Sequence, residues 1–348
     1  MNFCSDNTTG AAPEIMAALA EANAGQTMPY GEDALTERLT ARFGEVFETD
    51  VAVFPVTTGT AANALSLALM APPFGVVFCH REAHIAVNEC GAPEFYTGGA
   101  KLKLLDGSDG KIEAETLAAA LAGAGAGDVH HVQPAALSLS QQTEAGTVYG
   151  TDEVGALCEV AHDHGLGVHM DGARFANAVA HLGCAPAEVT WRAGVDVLAF
   201  GATKNGALAA EAVVVFKPEL ARDLGYRRKR AGHLLSKMRF VSAQLEAYLA
   251  AGLWLKNATH ANRLAATLAR GLAAVPGAEV IHPVHGNEVF VRLPEPVIAG
   301  LLADGFAFYR RGGENATTLR LVTAFNTRAE DVRAIVDAAR RHGRSAAQ

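Results

Sequence analysis

The stretch Val195-Asp196-Val197-Leu198-Ala199-Phe200-Gly201-Ala202-Thr203-Lys204-Asn205-Gly206 decides how this chain is read. Its apolar run reads as a buried strand, and the small residues after it form a tight turn that delivers one lysine. Burying an unpaired ammonium is costly, so a solitary lysine in such a place is seldom structural. Its amine is a nucleophile toward aldehydes. Thirty-three residues before Lys204, a second apolar run ends in Val168-His169-Met170-Asp171-Gly172-Ala173-Arg174.

A strand-end aspartate followed by a strand-end lysine is what a pyridoxal phosphate site needs. Lys204 would hold the cofactor's aldehyde as a Schiff base. Asp171 would keep the pyridine nitrogen protonated, so that the ring accepts electrons.

The bulk properties agree with such an enzyme. At 348 residues, half of them hydrophobic, the chain can bury a large core and divide into two domains. A net charge of −8 argues against nucleic acid or an acidic membrane as a partner. The five cysteines are dispersed, without metal-type spacing, and read as reduced thiols of a cytoplasmic protein. The first residues carry no basic segment leading into an apolar one, so no signal peptide is expected. No apolar stretch reaches the ~18 to 20 residues that span a bilayer.

Short apolar strands alternate with helical patterns through most of the chain. Strands are expected at 51–56, 76–79, 94–97, 101–104, 135–139, 167–170, 195–200 and 212–216, with helices at 60–70, 83–90, 113–122 and 151–164 between them. This alternation predicts a mostly parallel sheet covered by helices on both faces. Residues 224–272 read as almost wholly helical. Strands at 288–293, 306–309 and 318–322 and a helix over 328–341 predict a small α+β domain, and the tail is expected to fray from Arg344. The division is expected at 1–245, the cofactor domain, and 246–348, the small domain.

Thr58-Gly59-Thr60 follows a strand and opens a helix. A glycine permits close backbone approach, the first helical N–H groups point outward, and the helix dipole favours an anion there. The plain alternative is that Thr60 caps a helix. The segment lacks the lysine of a Walker A loop and the spacing of a dinucleotide fingerprint, so ATP and NAD fit poorly. His84, near the start of a helix after a strand, can stack on a ring and act as a base, or merely cap. Arg174 lies close enough to Asp171 to share its site. Arg320, in Leu319-Arg320-Leu321-Val322-Thr323, has the planar fork that suits a substrate carboxylate, or faces water on an edge strand. The basic run Arg227-Arg228-Lys229-Arg230 has no interleaved aromatics and reads as a solvated helix face.

Together these residues resemble the threonine aldolase family, pyridoxal phosphate enzymes of fold type I in the aspartate aminotransferase style. The resemblance spans nearly the whole chain and rests on Ser5-Asp6-Asn7, Tyr30-Gly31-Glu32-Asp33, Thr58 to Asn63, His84-Ile85 with Glu89 and Gly91, Thr203 to Gly206 and Arg320 to Thr323. Its most specific element is His169-Met170-Asp171-Gly172-Ala173-Arg174. The resemblance implies that Lys204 carries the cofactor, Asp171 bonds its ring nitrogen, Gly59 and Thr60 hold its phosphate, and His84 stacks on its face. It assigns Ser5, Arg174 and Arg320 to the amino acid carboxylate. Tyr30 and the Arg228-Lys229 pair would reach a neighbouring subunit's site in dimers paired into tetramers. The implied reaction is retro-aldol cleavage of threonine, allo-threonine or phenylserine to glycine and an aldehyde, without a metal.

One departure is visible. Many members carry Asn-Thr-His before the helix that opens at Thr151; here the stretch is Ser140-Gln141-Gln142-Thr143-Glu144-Ala145-Gly146, with no histidine. His84, Glu144 or a water between them remain as candidates for the base. Two rival readings stay open: β-elimination from another amino acid on the same cofactor, and a non-catalytic module that binds a phosphorylated ligand at Thr58-Gly59-Thr60.

Overall fold

The computed structural model describes residues 1–346. The expected alternation is present as a seven-stranded sheet. Its strands are β1 (Ala52–Val56), β2 (Gly75–His80), β3 (Lys101–Leu105), β4 (Gln133–Ser140), β5 (Gly167–Gly172), β6 (Val197–Gly201) and β7 (Glu211–Val215). The spatial order is β1-β7-β6-β5-β4-β2-β3. The five strands from β3 to β6 run parallel, and β7 lies antiparallel between β6 and β1. Strands β2, β6 and β7 are buried along their whole length, as expected where helices cover both faces.

The helix Gly59–Met70 is buried from Ala61 to Ala68 without a polar stripe, which suits a helix wedged against the sheet rather than floating on it. On the opposite side Phe200 meets Phe43 edge to face at 5.0 Å, and Phe47, Phe175, Tyr248 and Trp254 complete the aromatic core. A second, four-stranded antiparallel sheet has the order β10-β11-β9-β8, with β8 (Glu279–Val280), β9 (Glu288–Arg292), β10 (Tyr309–Arg310) and β11 (Thr318–Val322). The helices Glu295–Ala303 and Ala329–Ala346 pack on it. Phe3 joins this smaller core, and Asn2 bridges to Ala307. The helix Leu253–Ala273 serves both cores, its first half in the larger and its second in the smaller.

Several expectations are corrected. Residues 94–97 are not a strand but lie in a helix, Ala92–Thr97. Phe95 and Tyr96 carry β propensity, but Gly91 and Gly98 take left-handed conformations at either end and Pro93 starts the turn. The expected helix over 83–90 is a single turn, His84–Val87. The cap of the phosphate-loop helix is Thr58, whose side chain accepts from the Ala61 N–H, and not Thr60. The C-terminal helix runs past Arg344 to Ala346; the last two residues of the expected frayed tail lie outside the described residues.

Candidate active site

The carboxyl ends of the parallel strands converge on one cavity of about 280 Å³. In such sheets the loops at this edge are where ligands are held. Thr58, Gly59 and Thr60 arrive after β1, His84 after β2, Asp171 at the end of β5 and Lys204 after β6, and all six line the cavity. They are the residues that sequence reasoning assigned to cofactor and chemistry, save Arg174, which was also placed at the cofactor and lies outside this lining.

Lys204 sits on a one-turn helix, Thr203–Asn205, that closes on Gly206 at φ 117°. That backbone conformation favours glycine. Asn205 fixes the turn from below: its amide donates to Tyr248 Oη at 2.7 Å and to the Trp254 carbonyl at 2.8 Å, while Asn257 donates to its carbonyl at 2.9 Å. At Gly201 the strand passes so close to Ala173 that a Cβ would lie 2.6 Å from the Ala173 carbonyl oxygen. Hence the lysine turn and the aspartate turn can sit side by side. Among the described residues the Lys204 ammonium has no ion pair or hydrogen bond.

Asp171 is buried, 6% exposed, and held at both oxygens. Oδ1 accepts from the Ala173 N–H at 3.0 Å and Oδ2 from Asn63 at 2.9 Å. The same Asn63 amide donates to Glu89 at 2.9 Å, and Glu89 pairs with His84 Nδ1 at 2.8 Å. The chain Asp171–Asn63–Glu89–His84 thus sets ring and carboxylate relative to each other. The Glu89 hydrogen bond raises the affinity of His84 for its proton, against the opposing effect of burial.

The phosphate-loop helix is 12 residues long. Thr58 uses the Ala61 and Ala62 N–H groups, leaving those of Gly59 and Thr60 without an internal partner. A Cβ at Gly59 would meet nothing within 4 Å, so the approach to those donors is open. An unpartnered amine, a buried carboxylate and open N–H donors at a helix start, around one cavity, fit the aldehyde, ring nitrogen and phosphate of pyridoxal phosphate.

Four predicted residues do not line this cavity. Arg174 is 8% exposed and engaged by protein: Nε and Nη2 donate to Asp6 at 2.8 and 3.1 Å, and Nη1 lies 3.4 Å from Glu288. Burial opposes its charge, yet Asp6 and Glu288 hold its pKa above the ordinary arginine value. Arg320 donates to the Cys4 carbonyl at 3.0 Å and stands 3.7 Å from Glu288, with a buried Nε that has no partner. Ser5 caps the short turn Asp6–Thr8 by accepting from the Asn7 N–H, and borders a separate cavity beside Val322. Tyr30 is exposed, with Lys229 over its ring at 4.6 Å, and shares a surface cavity with Arg228.

Sequence reasoning missed Asn63, the tie between two acids, and Glu211. Glu211 opens β7, pairs in register with Gly201 of β6 and so reaches the Lys204 turn, where it accepts from the Ala202 N–H at 3.1 Å. Burial pushes its carboxyl up to about 7. A glutamate opening an otherwise apolar strand was the available signal.

The sequence pattern of the Beta-eliminating lyase family matches residues 2–296. The low specificity L-threonine aldolase of Pseudomonas aeruginosa is 46% identical over 332 residues, 95% of this chain and 94% of that one. The enzyme of the same description from a Pseudomonas species is 41% identical over 97% of this chain and 98% of its own length. The solved structure of the Leishmania major threonine aldolase superposes with a TM-score of 0.92 at 28% identity, covering 98% of this chain and 99% of that one. The open lysine at the strand ends, the acid pinned beside it and these full-length likenesses lead to one assignment: the chain belongs to the Beta-eliminating lyase family and, within it, to the threonine aldolases.

Proposed function

We propose that this protein is a pyridoxal phosphate-dependent aldehyde-lyase that cleaves β-hydroxy-α-amino acids such as L-threonine, L-allo-threonine and phenylserine to glycine and an aldehyde. The observation that carries the reading is the Lys204 amine, without a partner among the described residues, in a cavity shared with buried Asp171. Lys204 would hold the cofactor aldehyde, Asp171 its ring nitrogen, Thr58, Gly59 and Thr60 its phosphate, and His84 its face. Bound there, the cofactor supplies an electron sink for the pair released when a bond to the substrate α-carbon breaks.

The chain's own residues supply orientation. Arg320 has an unused donor and is the guanidinium best able to take a substrate carboxylate. Arg174, fixed by Asp6 and Glu288, adds positive charge to the same corner, and Ser5 lies next to Asp6. Holding the carboxylate fixes which α-carbon bond faces the sink, and that choice selects the reaction. Asn63 and Glu89 keep His84 aimed throughout.

The enzyme acts as a homo-oligomer in which Tyr30 and the Arg228–Lys229 pair serve a neighbouring subunit's site, in dimers paired into tetramers. Their grouping at a surface cavity away from Lys204 supports this. The two sheets support a division into two domains, placed at 1–245 and 246–348, with the helix Leu253–Ala273 shared between their cores. Five free cysteines and a net charge of −8 support a cytoplasmic protein, and among the described residues no helix is long and apolar enough to cross a membrane.

The family description favours β-elimination as the second reading. Purified protein given L-threonine, L-allo-threonine and phenylserine separates the two. Glycine and aldehyde in equal amounts establish the aldolase, whereas keto acid and ammonia establish elimination.

A further inference from the structure

We propose that Glu144 accepts the proton of the substrate's β-hydroxyl group, with His84 held across the cavity as a hydrogen-bond donor. The proposal rests on the aldolase reading and deepens it.

The acids around the cavity are of two kinds. Asp171 is bonded to Asn63 and the Ala173 N–H, Glu89 to Asn63 and His84, and Glu211 to the Ala202 N–H. Glu144 also lines the cavity, but among the described residues its carboxyl group makes no hydrogen bond and no ion pair. A half-buried acid that faces a ligand cavity without a partner is arranged to exchange a proton with the ligand.

The backbone beneath it is fixed. The Thr143 N–H donates to the Thr147 carbonyl at 2.9 Å, the Gly146 N–H to the Thr143 carbonyl at 2.9 Å, and the Thr143 and Thr147 hydroxyls meet at 2.8 Å. Gln141 clamps both N–H and carbonyl of Tyr149 at 3.0 and 2.9 Å. A rigid turn therefore presents a free carboxyl, the combination that general-base catalysis uses.

The groups facing Glu144 are Glu288 from β9, Asp171 from β5, Lys204 and Arg174, with His84 across the cavity. Burial and then Glu288 push its carboxyl above the ordinary glutamate range, while Lys204 and Arg174 oppose them. His84 is tuned the other way. His84 Nδ1 and Glu89 share a hydrogen at 2.8 Å, and the bond raises the affinity of the imidazole for its proton above that of a free histidine. A protonated ring donates well and accepts poorly. With no histidine in the 140–146 segment, Glu144 is the remaining acceptor.

The step balances without a co-reactant. The hydroxyl proton passes to the Glu144 carboxylate, and the O–H pair becomes the second bond of the aldehyde C=O. The Cα–Cβ bond breaks and its pair stays with Cα. One proton then joins Cα to complete glycine, so one leaves oxygen and one reaches carbon.

The test uses wild-type, Glu144→Gln and Glu144→Asp holoenzymes. Cleavage of phenylserine is compared with exchange of the glycine α-hydrogen in heavy water, which involves no β-hydroxyl. Glu144→Gln is expected to lower the kcat for cleavage by about 10²- to 10⁴-fold while leaving glycine exchange within about threefold. Glu144→Asp should recover part of the cleavage. Melting curves give a readout apart from turnover: an acid whose folded pKa is raised loses stability as pH rises, so the Gln variant should melt at or above the wild type on the alkaline side. Cleavage unchanged in Glu144→Gln, cleavage and exchange falling together, or a lower melting point at every pH overturns the proposal. Should the wild type release no glycine and aldehyde from any substrate, the aldolase reading itself falls, a result distinct from a wild type and a Gln variant that cleave alike.

Discussion

Around Arg174 the charges of the protein answer one another, whereas around Lys204 two of them are left open. Arg174 is bracketed by Asp6 and Glu288, Asp6 accepts a further bond from Asn287 at 3.0 Å, and Glu288 also faces Arg320. Burial works against the Asp6 charge, yet Arg174 and then Lys204 hold its carboxyl below the ordinary range. In the adjoining cavity Lys204 and Glu144 have no hydrogen-bond or ion-pair partner among the described residues, while Asp171 and Glu89 are pinned by Asn63. Groups that satisfy one another build the frame. Groups left unsatisfied next to a cavity are free to engage a ligand.

The sharpest break of this contrast is Lys204→Ala. It should leave folding intact, abolish the visible absorbance of the bound cofactor, and lower turnover by about 10⁴-fold or more, as seen when a covalent group that acts as part of a unit is removed. Absorbance spectra and single-turnover aldehyde release check both parts. On the frame side, Arg174→Ala should cost about 3 to 5 kcal/mol of stability, because Asp6 would be left buried with only neutral donors such as the Asn287 amide, and Glu288 would keep only Arg320 and Gln142. Urea unfolding measures it. A loss of activity with stability unchanged would instead assign Arg174 to the substrate alone.

Glu211→Gln is expected to have a smaller, pH-dependent effect. The folded carboxyl sits at about 7 against an ordinary 4.5, so its ionisation opposes folding. Wild-type stability should fall as pH rises from the ordinary value through about 7, by about 3 kcal/mol in the limit. Denaturation of the Gln variant at acidic and alkaline pH should lack that fall. The mildest expected change is Glu89→Gln. Without the charged partner His84 should lose its proton at lower pH, moving the alkaline limb of the cleavage profile downward with little loss of the maximum rate.

The same contrast explains what could be read from the sequence. Lys204 and Asp171 stand at the ends of apolar runs, and a strand end with small residues is a local pattern. The alternation of strands and helices is local too, so the large sheet was legible. Ser140 to Gly146 was legible as an altered segment, because it holds no histidine and Glu144 lies within it. The partnership of Arg174 with Asp6 was not, since 168 residues separate them and only the fold brings them to 2.8 Å. Glu211 was hidden for a similar reason: its place beside Lys204 follows from the antiparallel pairing of β7 with β6. The misread 94–97 segment shows side-chain propensity losing to backbone punctuation, with glycines and a proline bounding a short helix.

The central claim is that the open amine at position 204 is where the cofactor is held. Borohydride reduction of the yellow holoenzyme, followed by peptide mass analysis, tests it most directly. The account predicts a reduced pyridoxyl adduct on Lys204 alone, absent from Lys204→Ala. An adduct on another lysine, such as Lys111 or Lys217, or an unmodified Lys204 in reduced and active protein, would contradict it.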